Sequence, residues 1–439
     1  MIKKILILLL LCSTSALHAA NYLTFTAEAD SSAFGIKTQR INYSNDPLLK
    51  SDIPNVQYSL NGGKTWKALP NDTLIRLKRK GDKAMLKGMN PEGFSNKLIY
   101  TMFFMEGSIA ASGSVMSLID EKGESLAIPG EYCFYRLFEE CSSLTQAPQL
   151  PAKKLAVECY SHMFIGCTSL TQAPQLPAKK LAVECYSHMF SWCTSLTQAP
   201  KLPATQLAEG CYSDMFNRCT SLKQAPELSS TKLSGGCYGG MFSWCTSLTQ
   251  APKLPATKLA DYCYAGMFSC CTNLAQAPQL PATTLEEACY GEMFNRCTSL
   301  KQAPKLPATE MKTECYAWMF NGCDSLAQAP ELPATALAKA CYAGMFRGCT
   351  SLTQAPQLPA TKLAPRCYEE MFCGCIKLSE IKVGFTDWGT EYEYYGKKRS
   401  DTHIWLSDVA PNGTFICPKE LPKESGENRI PEGWKVIKN

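Results

Sequence analysis

The chain is poor in the residues and patterns that most chemistries need. It has 439 residues but only four histidines, and a leader removes one of them. His162, His188 and His403 remain, none with a recurring acidic partner, so no Cys–His or Ser–His catalytic set is expected. No P-loop, dinucleotide-binding glycine set or serine elbow occurs. The recurring cysteine spacing is C-x7-C, unlike the C-x2–4-C of structural zinc sites. The formal net charge is only +5, which implies neither nucleic acid nor an acidic membrane surface as partner. Beyond the first twenty residues no apolar run reaches the roughly 18 residues needed to span a bilayer. No catalytic, cofactor or metal site is therefore expected.

What is present begins with MIKKILILLLLCSTSALHAA, residues 1–20. A basic end, an apolar run and a small-residue finish mark a secretory signal peptide, cleaved between Ala19 and Asn21. Cys12 follows four leucines rather than a small residue, which argues against a lipid anchor. The mature chain is thus expected to be exported, to the cell surface or extracellular space, with the periplasm the other compartment open to it. The full chain has 24 cysteines, and losing Cys12 leaves an odd number. Complete intramolecular pairing is then impossible, against the usual disulfide framework of small secreted folds.

The cysteines keep a period. Those at 133, 159, 185, 211, 237, 263, 289, 315, 341 and 367 are 26 residues apart, and each has a companion eight residues on. One unit of this size cannot bury an apolar face alone, so about ten units must stack into a solenoid. Within a unit, Leu181, Ala182, Cys185, Tyr186, Met189, Phe190 and Cys193 fall in one arc of about 180° at helical spacing. This predicts a helix of two to three turns, with Pro365 tolerated in the first turn of its unit. The other half, CTSLTQAPQLPA, has two prolines and cannot be helical. A short parallel strand of two or three residues is expected over Thr197–Ala199, stopped by Pro200.

The fold class expected is therefore an α/β solenoid, each unit a short parallel strand plus a short helix. Helices need about 8–10 Å where strands need about 4.8 Å, so such a stack must curve; a non-helical outer half would flatten it. In a helix, residues eight apart lie about 12 Å from each other, beyond the roughly 7 Å reach of a disulfide. The paired cysteines are expected as buried free thiols, forming two ladders of small core residues.

Met163-Phe164, Cys167-Thr-Ser-Leu170 and Leu176, repeated along ten units, resemble the leucine-rich repeat, and most of all its BspA-like bacterial surface group. The resemblance covers about 250 residues. It departs from the group at Ala173, where a large aliphatic is usual, and at the inserted Pro174, so an irregular sheet is expected. The resemblance implies a non-catalytic surface protein that adheres to host or neighbouring-cell proteins, with extracellular matrix proteins as the group-level suggestion.

The ends lack the period. Residues 21–108 alternate in β-forming runs broken by turn residues, with Asn61-Gly62-Gly63 a hairpin signal. An all-β, sandwich-like module, of immunoglobulin type, is expected there. Residues 109–384 form the solenoid with its lead-in segment, and residues 385–439 a C-terminal cap covering the last apolar face. SLNGGKTW, Ser59–Trp66, also resembles the Asp-box hairpin of sialidases, with Asn61 in place of the acid. A glycan-binding or carbohydrate-active role for the N-terminal module is the alternative function this supports.

Two exposed strips are candidate partner-binding sites. Gln198, Gln224, Gln250 and Gln276 recur beside the inward alanines; they form either an amide ladder bonded along the stack or a polar binding floor. The residue before each second cysteine runs Trp192, Arg218, Trp244, Cys270, Arg296. Trp and Arg are enriched at binding hot spots, yet a self-contained cation–π stack explains the same strip. The partner expected is a protein, with a glycan as the alternative.

Overall fold

The computed structural model describes residues 21–40, 48–394 and 397–439; the leader assigned to residues 1–20 lies outside them. Eight strands form the N-terminal part: β1 (Leu23–Ala27), β2 (Ser32–Arg40), β3 (Val56–Ser59), β4 (Lys67–Ala68), β5 (Ile75–Leu77), β6 (Lys83–Gly88), β7 (Ile99–Glu106) and β8 (Ile109–Ser112). One sheet has the order β5-β2-β7; the other runs β4-β3-β6-β1-β8 and then takes in β9 (Leu144–Gln146), which belongs to the first repeat. The β8–β9 pairing is parallel, whereas the other pairs of these two sheets are antiparallel. Alternation along β1 puts Leu23, Phe25 and Ala27 inside, as one-sided burial of an antiparallel strand requires. Phe25 meets Phe34 and Phe103 edge-on at 5.1 and 5.0 Å. Phe103 then stacks on Phe138 at 5.3 Å, and its N–H donates to the Leu137 carbonyl. The β-rich part and the repeats therefore share one continuous core.

The repeats contain no helix among the described residues; the single α-helix, Ser117–Asp120, precedes them. The α/β expectation is corrected on this point. In the unit around Met163, the N–H groups of Ser161, Met163, Ile165 and Cys167 each donate to the carbonyl three residues back. The intervening N–H groups of Tyr160, His162, Phe164 and Gly166 donate to Cys185, Ser187, Met189 and Ser191 of the next unit. The segment is a coil of overlapping β-turns in which donors alternate between closing a turn and bonding the neighbouring unit. Every backbone donor of this coil is satisfied without helix geometry.

Each such coil has a positive φ at every fourth residue, as at Glu158, His162 and Gly166, then Glu184, His188 and Trp192. Positive φ at the third residue of a turn is the signature of type II, which favours proline just before it. Pro365 followed by Arg366 at φ 60° fits that rule; its place is a turn, not the first turn of a helix. The true side-chain period is four. Cys159, Met163 and Cys167 point inward, with Tyr160 and Phe164 beside them, all fully buried.

The physical reason is lateral spacing. Tyr160 stacks on Tyr186 at 5.9 Å and Phe164 on Phe190 at 5.5 Å, both with nearly parallel rings, and these ladders continue to Tyr368 and Phe372. Helices cannot approach below about 8 Å, whereas turn coils bond edge to edge like strands. With turn coils bonded edge to edge in place of helices, the helix–strand mismatch that would curve the stack is absent.

The proline-rich half pairs sparingly. Parallel bridges join Gln172 to Gln198, Gln224 to Gln250 and Gln276 to Gln302, and a second line joins Lys180 to Gln206 and Lys232 to Lys258. Only at the two ends do strands form: β9, and β10 (Glu380–Lys382). Proline has no N–H for the ladder, which reduces the expected two- or three-residue strands to single bridges between them.

After β10 come the hairpin β11 (Glu391–Tyr394) and β12 (Lys397–Ser400), then β13 (Thr414–Cys417) and β14 (Lys435–Lys438). Residues 401–408 repeat the turn coil once more. Tyr368, Glu370, Phe372 and Gly374 donate to the carbonyls of Asp401, His403, Trp405 and Ser407. The indole of Trp405 stacks on Tyr368 at 6.2 Å and donates to the Arg429 carbonyl. β13 and β14 add in parallel to β10. The last apolar face of the stack is thus closed by a degenerate extra unit.

Candidate functional site

The outward positions of the turn coils form columns, one residue per unit, held in register by the lateral backbone bonds. The column before the second cysteine contains Trp192, Arg218 and Trp244. The Arg218 guanidinium carbon lies 4.3 Å from one indole centroid and 4.4 Å from the other. The sandwich leaves Trp192 49% and Trp244 37% exposed, among the largest exposed apolar side chains. Both are at positive φ, a region costly for a bulky side chain. Cys270, next in the column, is buried and ends the strip. Arg296 is exposed and stands outside the stack, its stem over Gly322. The structure thus brings three of the four column residues together and separates the fourth.

On the proline-rich side Gln198, Gln224, Gln250 and Gln276 are all exposed. Their register comes from backbone bridges; among the described residues no side-chain hydrogen bond joins successive amides. At the start of this floor a polar cleft of about 580 Å³ is lined by Glu28, Thr145, Gln146 and Gln172. Glu28 accepts from Thr145 at 2.7 Å and from Ser108 at 3.1 Å.

The sequence reading missed the column beside the tryptophans. His162 and His188 stack at 4.6 Å, and His188 Nε2 lies 3.7 Å from Asp214 Oδ2 in the next unit. His188 does have an acidic partner, 26 residues away, a distance equal to the repeat. Burial first, then His188 and Arg136, lower the His162 pKa to about 3. Ser191 Oγ lies 3.4 Å from His188 Nδ1 but is buried and donates to the Asp214 carbonyl. That commitment makes it a structural hydroxyl rather than a nucleophile.

The thiols are also structural. All 23 described cysteines are free. From Cys167 to Cys375 the second thiol of each unit donates to the phenylalanine carbonyl of the preceding unit at 3.0–3.2 Å. Burial pushes these thiols up, to about 12 at Cys375, away from the thiolate that nucleophiles and metal ligands need. Among the described residues no cluster of His, Cys, Asp or Glu could hold a metal. In the N-terminal part, Asn61 Oδ1 accepts from the Thr65 N–H and Ser59 Oγ, and Asn61 Nδ2 donates to Thr65 Oγ1. The Asp-box-like hairpin therefore uses its polar groups on itself.

A stack of 26-residue units with a Met-Phe coil and a C-x-x-L corner defines a leucine-rich-repeat solenoid. A family model for the BspA type leucine rich repeat region, in six copies, matches residues 124–249 and 288–392. The chain belongs to this family. Its repeats are of a class that generally mediates protein binding. No curated protein and no solved structure matches the chain. No helix among the described residues is long and apolar enough to cross a membrane.

Proposed function

We propose that the chain is an exported surface protein that binds another protein through the turn face of its solenoid, without catalysis, in adhesion to host or neighbouring-cell surfaces. The observation that carries this reading is the Trp192–Arg218–Trp244 sandwich. It is exposed, rich in hot-spot residue types, and fixed before any partner arrives. Fixing long side chains in advance avoids about 0.5–1.5 kcal/mol of ordering cost for each on binding. The stack thus supports its own unit and a partner at once. The exposed amides of Gln198, Gln224, Gln250 and Gln276 provide a second, polar surface on the opposite half of each unit. Extracellular matrix proteins are the first candidates, from membership of the family.

The test is capture of matrix and bacterial surface proteins by the mature chain and by a Trp192→Ala/Trp244→Ala variant. Truncating two exposed hot-spot indoles is expected to weaken capture by at least about tenfold, on the order of 1.4 kcal/mol. Undiminished capture by the variant would remove the strip from the account. Binding confined to glycans and abolished by changes in residues 21–108 would favour the carbohydrate reading instead.

A further inference from the structure

The geometry points to a second feature of the same face: a pocket between the seventh and tenth units that receives one lysine side chain of a protein partner. This rests on the turn face being the binding face.

The pocket has a volume of about 220 Å³ and is walled by Trp318, Glu292, Glu314 and Arg366. Its floor is Ala317, Ala340 and Ala343, a small apolar cluster separate from the main core with Trp318 packed against it. The indole fits because unit nine has glycine at the matching position: a Cβ on Gly344 would lie 2.4 Å from Trp318 Cε3. The cavity is below the roughly 300–1,000 Å³ of sites for drug-sized ligands, which suits a single side chain.

Charge decides which side chain. Both arginines nearby have carboxylate partners. Arg347, 6.0 Å from the Trp318 centroid, pairs with Glu370 at 3.1 Å, and Arg366 pairs at 2.5 Å with Glu369, a carboxylate it shares with Arg399. Glu292 accepts only from the neutral Asn295 amide at 3.2 Å, and among the described residues no cation pairs with Glu292 or Glu314. An apolar floor, an aromatic wall and two unmatched carboxylates complement an alkyl stem ending in an ammonium group, through packing, cation–π attraction and charge.

The probe is Nα-acetyl-lysine N-methylamide, with the norleucine analogue as its uncharged match, added to the intact mature chain and followed by saturation-transfer NMR. Saturation of the lysine ε-methylene is expected, with the norleucine analogue several-fold weaker. The Glu292→Gln/Glu314→Gln variant, which removes the charge of one exposed and one half-buried side chain without changing their size, is expected to weaken lysine binding roughly five- to tenfold. Trp318→Leu should abolish the ε-methylene signal. Equal binding of norleucine, or full affinity in the double glutamine variant, overturns the assignment. Loss of probe binding with partner capture intact defeats the pocket alone; probe binding without any capture defeats the turn-face reading while leaving the pocket.

Discussion

Gly235 and Gly236 are adjacent in one turn coil, yet they should respond to alanine with opposite signs. Gly236 has φ 57°, and an added Cβ would meet nothing within 4 Å; at Gly235 the nearest atom would be the Asp261 carbonyl at 3.7 Å, ordinary contact. Neither substitution clashes, so backbone conformation alone separates them. Gly235 corresponds to Val157, Val183, Glu209 and Pro365 in other units, which shows that L-residues fit there. Gly→Ala at such a site stabilises by about 0.4–1 kcal/mol, through fewer unfolded conformations. At Gly236 the same gain is opposed by the left-handed cost of about 1–2 kcal/mol. The unfolded-state term cancels between the two variants, so their stabilities should differ by about 1–2 kcal/mol. Urea unfolding under reducing conditions measures this, and both sites lie in the same unit, so incomplete cooperativity along the array affects them alike. In a helix both substitutions would stabilise by about 1 kcal/mol. Equal gains would refute the turn coil.

Phe242→Ala removes a ring stacked on Phe216 and Phe268; a loss of about 3–5 kcal/mol is expected, with hydrogen-exchange protection falling in units adjoining residue 242 rather than at the ends. Alkaline pH should unfold the chain, since burial raises the thiols: Cys133 and Cys375 titrate near 12. Their contribution is complete below the unfolded value near 9 and is lost as pH rises toward 12, at about 1.4 kcal/mol per pH unit for each thiol that ionises on unfolding. A stability plateau from pH 9 to 11 would contradict this. His162, lowered to about 3, contributes stability that is present above its unfolded value near 6.5 and lost as pH falls toward 3. His162→Gln should flatten that part of the stability profile, and NMR should find the His162 ring neutral at pH 5.

The repeat number, the buried cysteine ladders and the solenoid were legible because they depend on a 26-residue period that stacking must respect. The helix was misread because 3.6 and 4.0 are hard to separate over thirteen residues. Leu181, Cys185, Met189 and Cys193 are four apart; at 100° per residue they drift only about 40° per step and stay within one arc. The deciding signal lay on the outward side, where glycine recurs at four-residue spacing at Gly236 and Gly240, and at Gly344 and Gly348. Each would cost a helix about 1 kcal/mol. The Trp–Arg–Trp contact could be read from one column of the repeat. The His162–His188–Asp214 row could not, because a residue's partner across units was sought nearby in sequence rather than one period away. The Trp318 pocket depends on alanines and a glycine from different units converging, which no single unit displays.

The functional claim is that the turn face, rather than the N-terminal sheets, engages a protein. Hydrogen exchange of the mature chain, free and bound to a captured partner, tests it most directly. The account predicts new protection in the turn coils carrying Trp192, Arg218 and Trp244, with residues 21–108 unchanged. Protection confined to residues 21–108 would contradict it.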